Sequence, residues 1–321
     1  AGADTAATAG TLAQRYGVPP FSVLDGRQAA WYDRKRAWVD LGLRGELGRG
    51  GALTGRLADL AARIPRDHDS WMAGSTTGTS VFDPVLCELL IRWYSVQSGR
   101  DLDPFAGGSA RGLVAARLGR AYVGVDLRAE QVAANREQGS DWLARGLIGE
   151  CPLWIAGDSR NLADLVPSDA RYDLMLTCPP YFDLEVYGDD PADLSRCANY
   201  PAFLRDYSVC LGAATDRMAD NAFAAIVTGP VRDKRGYVQD LPADTTRIME
   251  RLGWRLYQDA VLLTPMVTAG LRASGQFAVN RKLVRVHQNI GIYHRGDITA
   301  LRNWPPCDAV EDPDRTEVSD G

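Results

Sequence analysis

Residues 173–182, Asp-Leu-Met-Leu-Thr-Cys-Pro-Pro-Tyr-Phe, constrain the fold of this chain more than any other stretch. Leu174 to Thr177 is the kind of short apolar run that forms a buried strand, and it passes directly into two prolines and an aromatic. Two prolines in succession fix two φ angles and remove two N–H donors, so the strand must stop there and the loop after it is stiff. Open α/β sheets bind their ligands at such strand ends. Cys178-Pro179-Pro180-Tyr181 leaves carbonyl acceptors beside a flat ring, which suits a planar group that carries N–H donors. Taken alone, Pro-Pro-Tyr is also an ordinary strand-ending turn, and the preceding segments have to decide between the two.

The second informative stretch runs from Arg100 to Asp126. Asp101-Leu102-Asp103 leads into Pro104-Phe105-Ala106-Gly107-Gly108-Ser109, then a helix through Leu118, then Tyr122-Val123-Gly124-Val125-Asp126 as a strand ending in an acid. Strand, glycine turn, helix, strand and acid make a nucleotide-binding βαβ unit: glycines let the backbone approach the ligand, and the later carboxylate accepts from ribose hydroxyls. A helix is expected from about Arg128 to Glu137. Leu153-Trp154-Ile155-Ala156-Gly157-Asp158 then reads as a third strand ending in an acid. Asp158 could equally cap a helix. Acid-ended strands occurring three times in order, followed by the Pro-Pro loop, define one ligand-bearing edge of a sheet.

These stretches together resemble the amino-group DNA methyltransferases, over roughly Thr79 to Arg295. Asp103-Pro104-Phe105-x-Gly107 resembles that family's first motif, which binds S-adenosylmethionine. The resemblance implies that Asp103 receives the cofactor's charged amine, with Pro104, Phe105, Gly107 and Gly108 in the loop, Asp126 on the ribose and Asp158 on the adenine amine. Ser109 stands where the family more often has the second glycine of Gly-x-Gly. Thr79-x-x-Phe82-x-Pro84 is similar to a segment that the family places just before its first strand, which makes Thr79 and Phe82 further cofactor candidates; a helix cap is the other reading of that segment. Cys178 to Tyr181 resembles the fourth motif, in which the exocyclic amine of a flipped base donates to the first side chain and the first proline carbonyl while the aromatic stacks on it. The family usually has Asp, Asn or Ser where this chain has Cys178.

The implied protein is an α/β, Rossmann-like S-adenosylmethionine-dependent methyltransferase, its sheet mostly parallel with an antiparallel terminal hairpin, plus a helical N-terminal extension. It would methylate adenine N6 or cytosine N4 in double-stranded DNA, with RNA open as the substrate in its place and a specificity partner or a homodimer also open. The N-terminal segment is similar to methylases found beside ParB-like domains in phage and mobile elements. Two other enzyme readings stand beside this one. Cys178 as a nucleophile on carbon 6 of a pyrimidine would direct methylation to carbon 5, and related Pro-Pro-Tyr loops methylate amines in RNA. A non-catalytic module that binds nucleic acid or a partner is the non-enzymatic alternative, against which the intact acids Asp103, Asp126 and Asp158 argue.

Bulk properties narrow the class. With 321 residues, 45% of them hydrophobic, the chain can bury a full α/β core. No run is long enough for a membrane span, and Ala1 to Gly10 lacks the features of a signal peptide, so a cytoplasmic protein is expected. Six scattered cysteines without a Cys-x-x-Cys pair, and three histidines, point away from a zinc site or a disulfide framework. A net charge of −5 disfavours a surface that binds polyanions everywhere, so nucleic acid needs a local basic face. Arg232, Lys234 and Arg235, after the strand Phe223 to Gly229, are expected at the ligand edge as phosphate contacts. Arg34-Lys35-Arg36 and Arg272 through Arg285 are other basic clusters, and any one of them can be simply a solvated surface.

The expected organisation is a helical extension over 1–75 with residues 1–15 frayed, a catalytic domain over 76–304 and an acidic, disordered tail over 305–321. Within the extension, Gln28 to Leu41 and Leu53 to Ile64 carry helical periodicity, and Trp31 with Arg34 to Arg36 could help to hold substrate. The acidic stretch 183–199 and the insert Thr264 to Val279 read as irregular connections. His287-Gln288-Asn289 opens the last strand, where a lone histidine is more often structural than catalytic.

Overall fold

A computed structural model describes residues 12–45, 81–182, 189–264 and 269–307. The helix expected over 53–64, Thr79, the acidic residues 183–188 and the tail beyond 307 lie outside the described residues, as does the expected boundary at 75/76.

Among the described residues the strands, in chain order, are β1 (Val23–Asp25), β2 (Arg100–Asp103), β3 (Ala121–Asp126), β4 (Leu153–Ala156), β5 (Tyr172–Thr177), β6 (Met218–Thr228), β7 (Val231–Arg232), β8 (Val238–Gln239), β9 (Arg255–Leu263) and β10 (His287–His294). β7 and β8 form a small separate hairpin, and the other eight form one sheet in the spatial order β1-β9-β10-β6-β5-β2-β3-β4. Every pairing in that sheet is parallel except those of β10, which runs antiparallel between β6 and β9. From β2 the chain builds outward through β3 and β4, and from β5 it builds the other way through β6. The order therefore reverses between β2 and β5, the position at which open sheets of this kind form a ligand crevice. The glycine-rich loop leaves β2 and the Pro-Pro loop leaves β5, so the two motifs emerge from neighbouring strands on either side of that reversal.

Helices cover both faces, which is why the strands read as apolar runs rather than as alternating patterns. Within the sheet the period of two persists: Leu174 and Leu176 face one core and Met175 the other, while Phe223, Ala225 and Val227 oppose Ala222, Ala224 and Ile226. The first core packs α1 (Ala29–Asp40), α2 (Pro84–Tyr94), α3 (Ala110–Arg117) and α4 (Ala129–Ala144) around buried Trp31, Trp38, Trp142 and Trp154. The second packs α5 (Tyr200–Thr215) and α6 (Leu241–Arg251) around Phe203, Tyr207, Met249 and Trp254. Helix α2 starts where the sequence places it: Asp83 accepts from the backbone N–H groups of Val85 and Leu86, with Pro84 in the first turn.

Several expectations are corrected. Helix α4 continues to Ala144 because Asn135, Gln138 and Trp142 supply a buried face beyond Glu137. The expected loop over 264–279 contains a helix, α7 (Ala269–Asn280), despite glycines at 270 and 275. Residues 12–16 form a helical turn, and the Trp93 indole donates to the Tyr16 carbonyl at 3.1 Å. The extension is not purely helical either, since β1 joins the main sheet beside β9. Its basic cluster is engaged internally: Arg34 pairs with Glu88, Lys35 with Asp83 and Arg36 with Asp33, while Trp31 is buried in the core.

One buried carboxyl makes the fold sensitive to pH. Ser95 Oγ donates to Asp101 Oδ1 at 2.7 Å, and Asp101 Oδ2 is sealed from solvent without a hydrogen bond. Burial raises the Asp101 pKa to about 7, opposed by the Ser95 hydrogen bond and the charge of Arg120. A carboxyl with a raised folded pKa contributes stability that is complete below its unfolded value and lost as pH rises through the folded one. Stability should therefore fall from the ordinary aspartate range up to about pH 7. Asp101→Asn should remove that slope and exceed wild type by roughly a few kcal/mol at about pH 8. Urea unfolding at about pH 5 and about pH 8 reads this directly, and equal slopes in the two proteins would exclude it.

Candidate active site

A cavity of about 360 Å³ opens at the C-terminal ends of β2 to β5. Its lining includes Pro104, Phe105, Gly107 and Gly108 from the loop after β2, Asp126 from the end of β3, Asp158 from the turn after β4, and Cys178, Pro179, Pro180 and Tyr181 from the loop after β5. Phe82, just before α2, also lines it. Residues far apart in sequence thus share one concave surface. Topology accounts for this, because parallel strands deliver all their C-terminal loops to the same edge.

The glycine loop is held from several sides. Gly107 adopts a φ of 52°, its N–H donates to Asp126 Oδ2 at 2.8 Å, and its carbonyl accepts from Asn135 at 2.8 Å. Asp126 Oδ1 accepts from the Arg128 N–H at 2.9 Å. Ser109 Oγ donates to Gln138 Oε1 at 3.0 Å, so the residue that replaces the expected glycine serves as an anchor for the loop. A Cβ on Gly108 would sit well inside contact distance of the Gly45 carbonyl oxygen, because the N-terminal segment crosses directly over the loop. Gln138 fixes that crossing by accepting from the Arg44 N–H at 3.1 Å and donating to the Arg44 carbonyl at 3.2 Å.

Asp103 is placed differently from the other acids. It does not line the cavity but lies fully buried beneath it, where Thr177 Oγ1 at 2.7 Å, Tyr122 OH at 2.9 Å, the Phe105 N–H at 3.0 Å and Arg111 Nε all donate to its carboxylate. Arg111 sits on the cavity wall and continues to the loop carbonyls of Phe105 and Ala106. Burial opposes the charge of Arg111, but Asp103, Tyr122 and Cys178 more than offset it and its pKa lies above the ordinary arginine value. Asp158 caps the turn after β4 by accepting from the Arg160 N–H, and its carboxylate pairs with the Arg160 side chain, which also reaches Asp206.

In the Pro-Pro loop, Cys178 Sγ lies 3.6 Å from Tyr181 OH. Phe182 has a φ of 52°, an uncommon value for a residue with a side chain, and its ring packs against Tyr200 and Phe203. Those rings continue a stacked series to Tyr207 that underlies the loop. Tyr181 packs against the same core.

Arg232, Lys234 and Arg235 do not line the cavity. They occupy the tight β7–β8 hairpin, whose turn Asp233 stabilises by accepting from the Arg235 and Tyr237 N–H groups. Lys282 approaches Gly236 in that turn, and Arg285 lies near enough to Arg232 that burial and this neighbouring charge lower its pKa. The end of the basic cluster Arg272 through Arg285 thus meets the basic hairpin, and Gln288, which follows Arg285 closely in sequence, lines the cavity. Arg111, Asp193, Gln288 and Gly45 are cavity residues that sequence reasoning missed as ligand groups. Arg111 and Gln288 lay within stretches already singled out in the sequence, without being assigned a ligand role.

The donor set fits a nucleoside with a charged tail: two carboxylates, Asp126 and Asp158, a glycine cradle with a left-handed backbone and an apolar ring at Phe82. No protein-family model and no curated protein matches the chain. Among solved structures it is similar to magnesium protoporphyrin IX methyltransferase from Synechocystis PCC 6803 with bound SAM, at 13% identity over 74% of this chain and 90% of that one, with a TM-score of 0.43. A methyltransferase from Pyrococcus furiosus aligns at 14% identity over 68% and 85%, with a TM-score of 0.42. A protein from Thermus thermophilus provisionally described as a DNA modification methylase aligns at 18% identity over 44% and 51%, with a TM-score of 0.33. Likeness at this level carries nothing about substrate.

Proposed function

We propose that this chain is an S-adenosylmethionine-dependent methyltransferase acting on the exocyclic amine of a flipped base in DNA, adenine N6 or cytosine N4. The observation that carries the reading is the meeting, in one cavity at the reversal of strand order, of a glycine loop with two strand-end acids and a Pro-Pro-Tyr loop. Gly107 and Gly108 let backbone approach a nucleoside, Asp126 takes ribose hydroxyls and Asp158 the adenine amine. When bound, S-adenosylmethionine supplies an electrophilic methyl group on a sulfonium. The remaining task falls to the chain. An aromatic amine has its lone pair delocalised into the ring, so it must be turned out of conjugation before it can attack. The Pro179 carbonyl and Cys178 Sγ accept from the two amine hydrogens and hold that geometry, while Tyr181 stacks on the base. Transfer leaves the nitrogen positively charged and strongly acidic, so its surplus proton departs to solvent afterwards. The basic hairpin with Lys282 and Arg285 provides phosphate contacts.

A specific observation keeps a second chemistry in view. Cys178 lines the same cavity as Arg111, and a thiol at the ligand site is the residue type that adds to pyrimidine carbon 6 in covalent carbon-5 methylation. Mass spectrometry of nucleosides after incubation with labelled cofactor and unmodified duplex DNA separates the two. N6-methyladenine or N4-methylcytosine is expected, and Cys178→Ser should retain or raise that activity because a hydroxyl oxygen accepts better than sulfur. Formation of 5-methylcytosine that disappears in Cys178→Ser would overturn the amine reading. Methylation of RNA alone would move the substrate.

A further inference from the structure

We propose that Arg111 binds the carboxylate at the amino-acid end of the cofactor through its Nη1, a role that rests on the reading of the cavity as an S-adenosylmethionine site. The usual assignment for a motif of this kind would have Asp103 receive the charged amine. Here Asp103 is fully buried, takes four donors and lies off the cavity wall, so it has neither the access nor the free acceptors for that task. The wall instead includes Arg111, a residue only 4% exposed, whose guanidinium is bound to Asp103 and lies over the ring of Phe82, another lining residue.

The orientation of that guanidinium is fixed by its own partners. Nε donates to Asp103, Nη2 donates to the Phe105 carbonyl at 2.6 Å and the Ala106 carbonyl at 3.1 Å, and the group lies over the Phe82 ring at 4.5 Å. Nη1 makes no hydrogen bond among the described residues, and it is not one of the atoms sealed from solvent. A planar fork held at two of its three nitrogens directs the donors of the third without further loss of freedom. Two N–H groups in a largely enclosed site want an acceptor, and a carboxylate meets a guanidinium better than water does. The only anionic group of S-adenosylmethionine is its carboxylate. Asp103 has a consequent function: it neutralises Arg111 enough for the cation to stay buried, while leaving one edge of it for the ligand.

Calorimetric titration of the full chain tests this with three ligands: S-adenosylhomocysteine, its decarboxylated analogue that retains the amine, and methylthioadenosine, which lacks the amino-acid portion. The decarboxylated analogue should bind wild type about tenfold or more weakly than S-adenosylhomocysteine. In Arg111→Gln that ratio should fall toward one. A ratio of affinities is the readout because a merely structural role would weaken both ligands alike. If Arg111→Gln does not fold, the double variant Asp103→Asn with Arg111→Gln removes both buried charges together and is read the same way. A wild-type ratio within about threefold, or a large ratio that persists in the variants, overturns the role of Arg111 while leaving the cofactor reading intact. Binding of none of the three ligands by wild type overturns the cofactor reading itself, and the role of Arg111 with it.

Discussion

Replacing Tyr181 with alanine is expected to slow methyl transfer by about 10- to 100-fold, with a much smaller change in affinity for S-adenosylhomocysteine. Among the described residues of the Pro-Pro loop, its ring is the aromatic group that lines the cavity, since the neighbouring Phe182 turns away into the core through its left-handed backbone. Stacking of an aromatic side chain on a base contributes about 1–3 kcal/mol by alanine substitution, which sets the size of the effect. Tyr181→Phe keeps the ring and loses only the hydroxyl near Cys178, so it should retain most of the activity. Steady-state kinetics on DNA and calorimetry on S-adenosylhomocysteine provide the two readings. Wild-type turnover in Tyr181→Ala would remove the ring from substrate recognition and, with it, the proposed use of the loop.

The second large effect belongs to Gly108→Ala, for which at least about a tenfold loss of cofactor affinity and roughly 1–3 kcal/mol of stability are expected. The new methyl group would meet the carbonyl of Gly45, a backbone atom that cannot swing aside. Neither side of the contact is free to give. The loop is tied through Gly107 to Asp126 and Asn135, and the crossing segment is tied through Arg44 to Gln138. Relief must come from moving one of them, and both line the cavity. Gly149→Ala is the matched control, because nothing lies within 4 Å of its added methyl. Thermal unfolding and calorimetry on the two variants make the comparison. Unchanged ligand affinity in Gly108→Ala would mean that the crossing segment plays no part in shaping the cavity.

Much of this arrangement was legible from residues alone, for identifiable reasons. Strand ends were readable wherever an apolar run met a strong terminator: Pro179-Pro180 after β5, and the acid at the end of β3. The cavity's acids at 126 and 158 followed from the same placement. The position of Asp103 did not, because a motif fixes where a side chain starts but not which neighbour claims it first. Only the fold brings Tyr122, Thr177 and Arg111 around one carboxylate. Arg111 lies in the first turn of α3, where nothing in the local sequence marks it for a ligand. Helix α7 was missed because its two glycines argue for a loop, and β1 because three residues carry too little periodicity to mark a strand. The partner of β1 is also remote in sequence, where no local signal reaches.

That remoteness has a consequence for how the molecule is made. Val23 pairs with Val261, and β9 reaches the rest of the sheet only through β10, which ends at His294. On a ribosome that delivers the chain from its N-terminus, β1 must wait unpaired until β9 has been synthesised more than two hundred residues later. The strands from β2 to β6, which carry the motif loops, can pair with one another as soon as they emerge. β9 and β1, by contrast, can dock only after β10 has been released between them and β6. The nascent protein thus assembles its motif-bearing half first and keeps an open edge at β6 until β10 emerges, an interval in which a stalled ribosome would leave it most prone to aggregate.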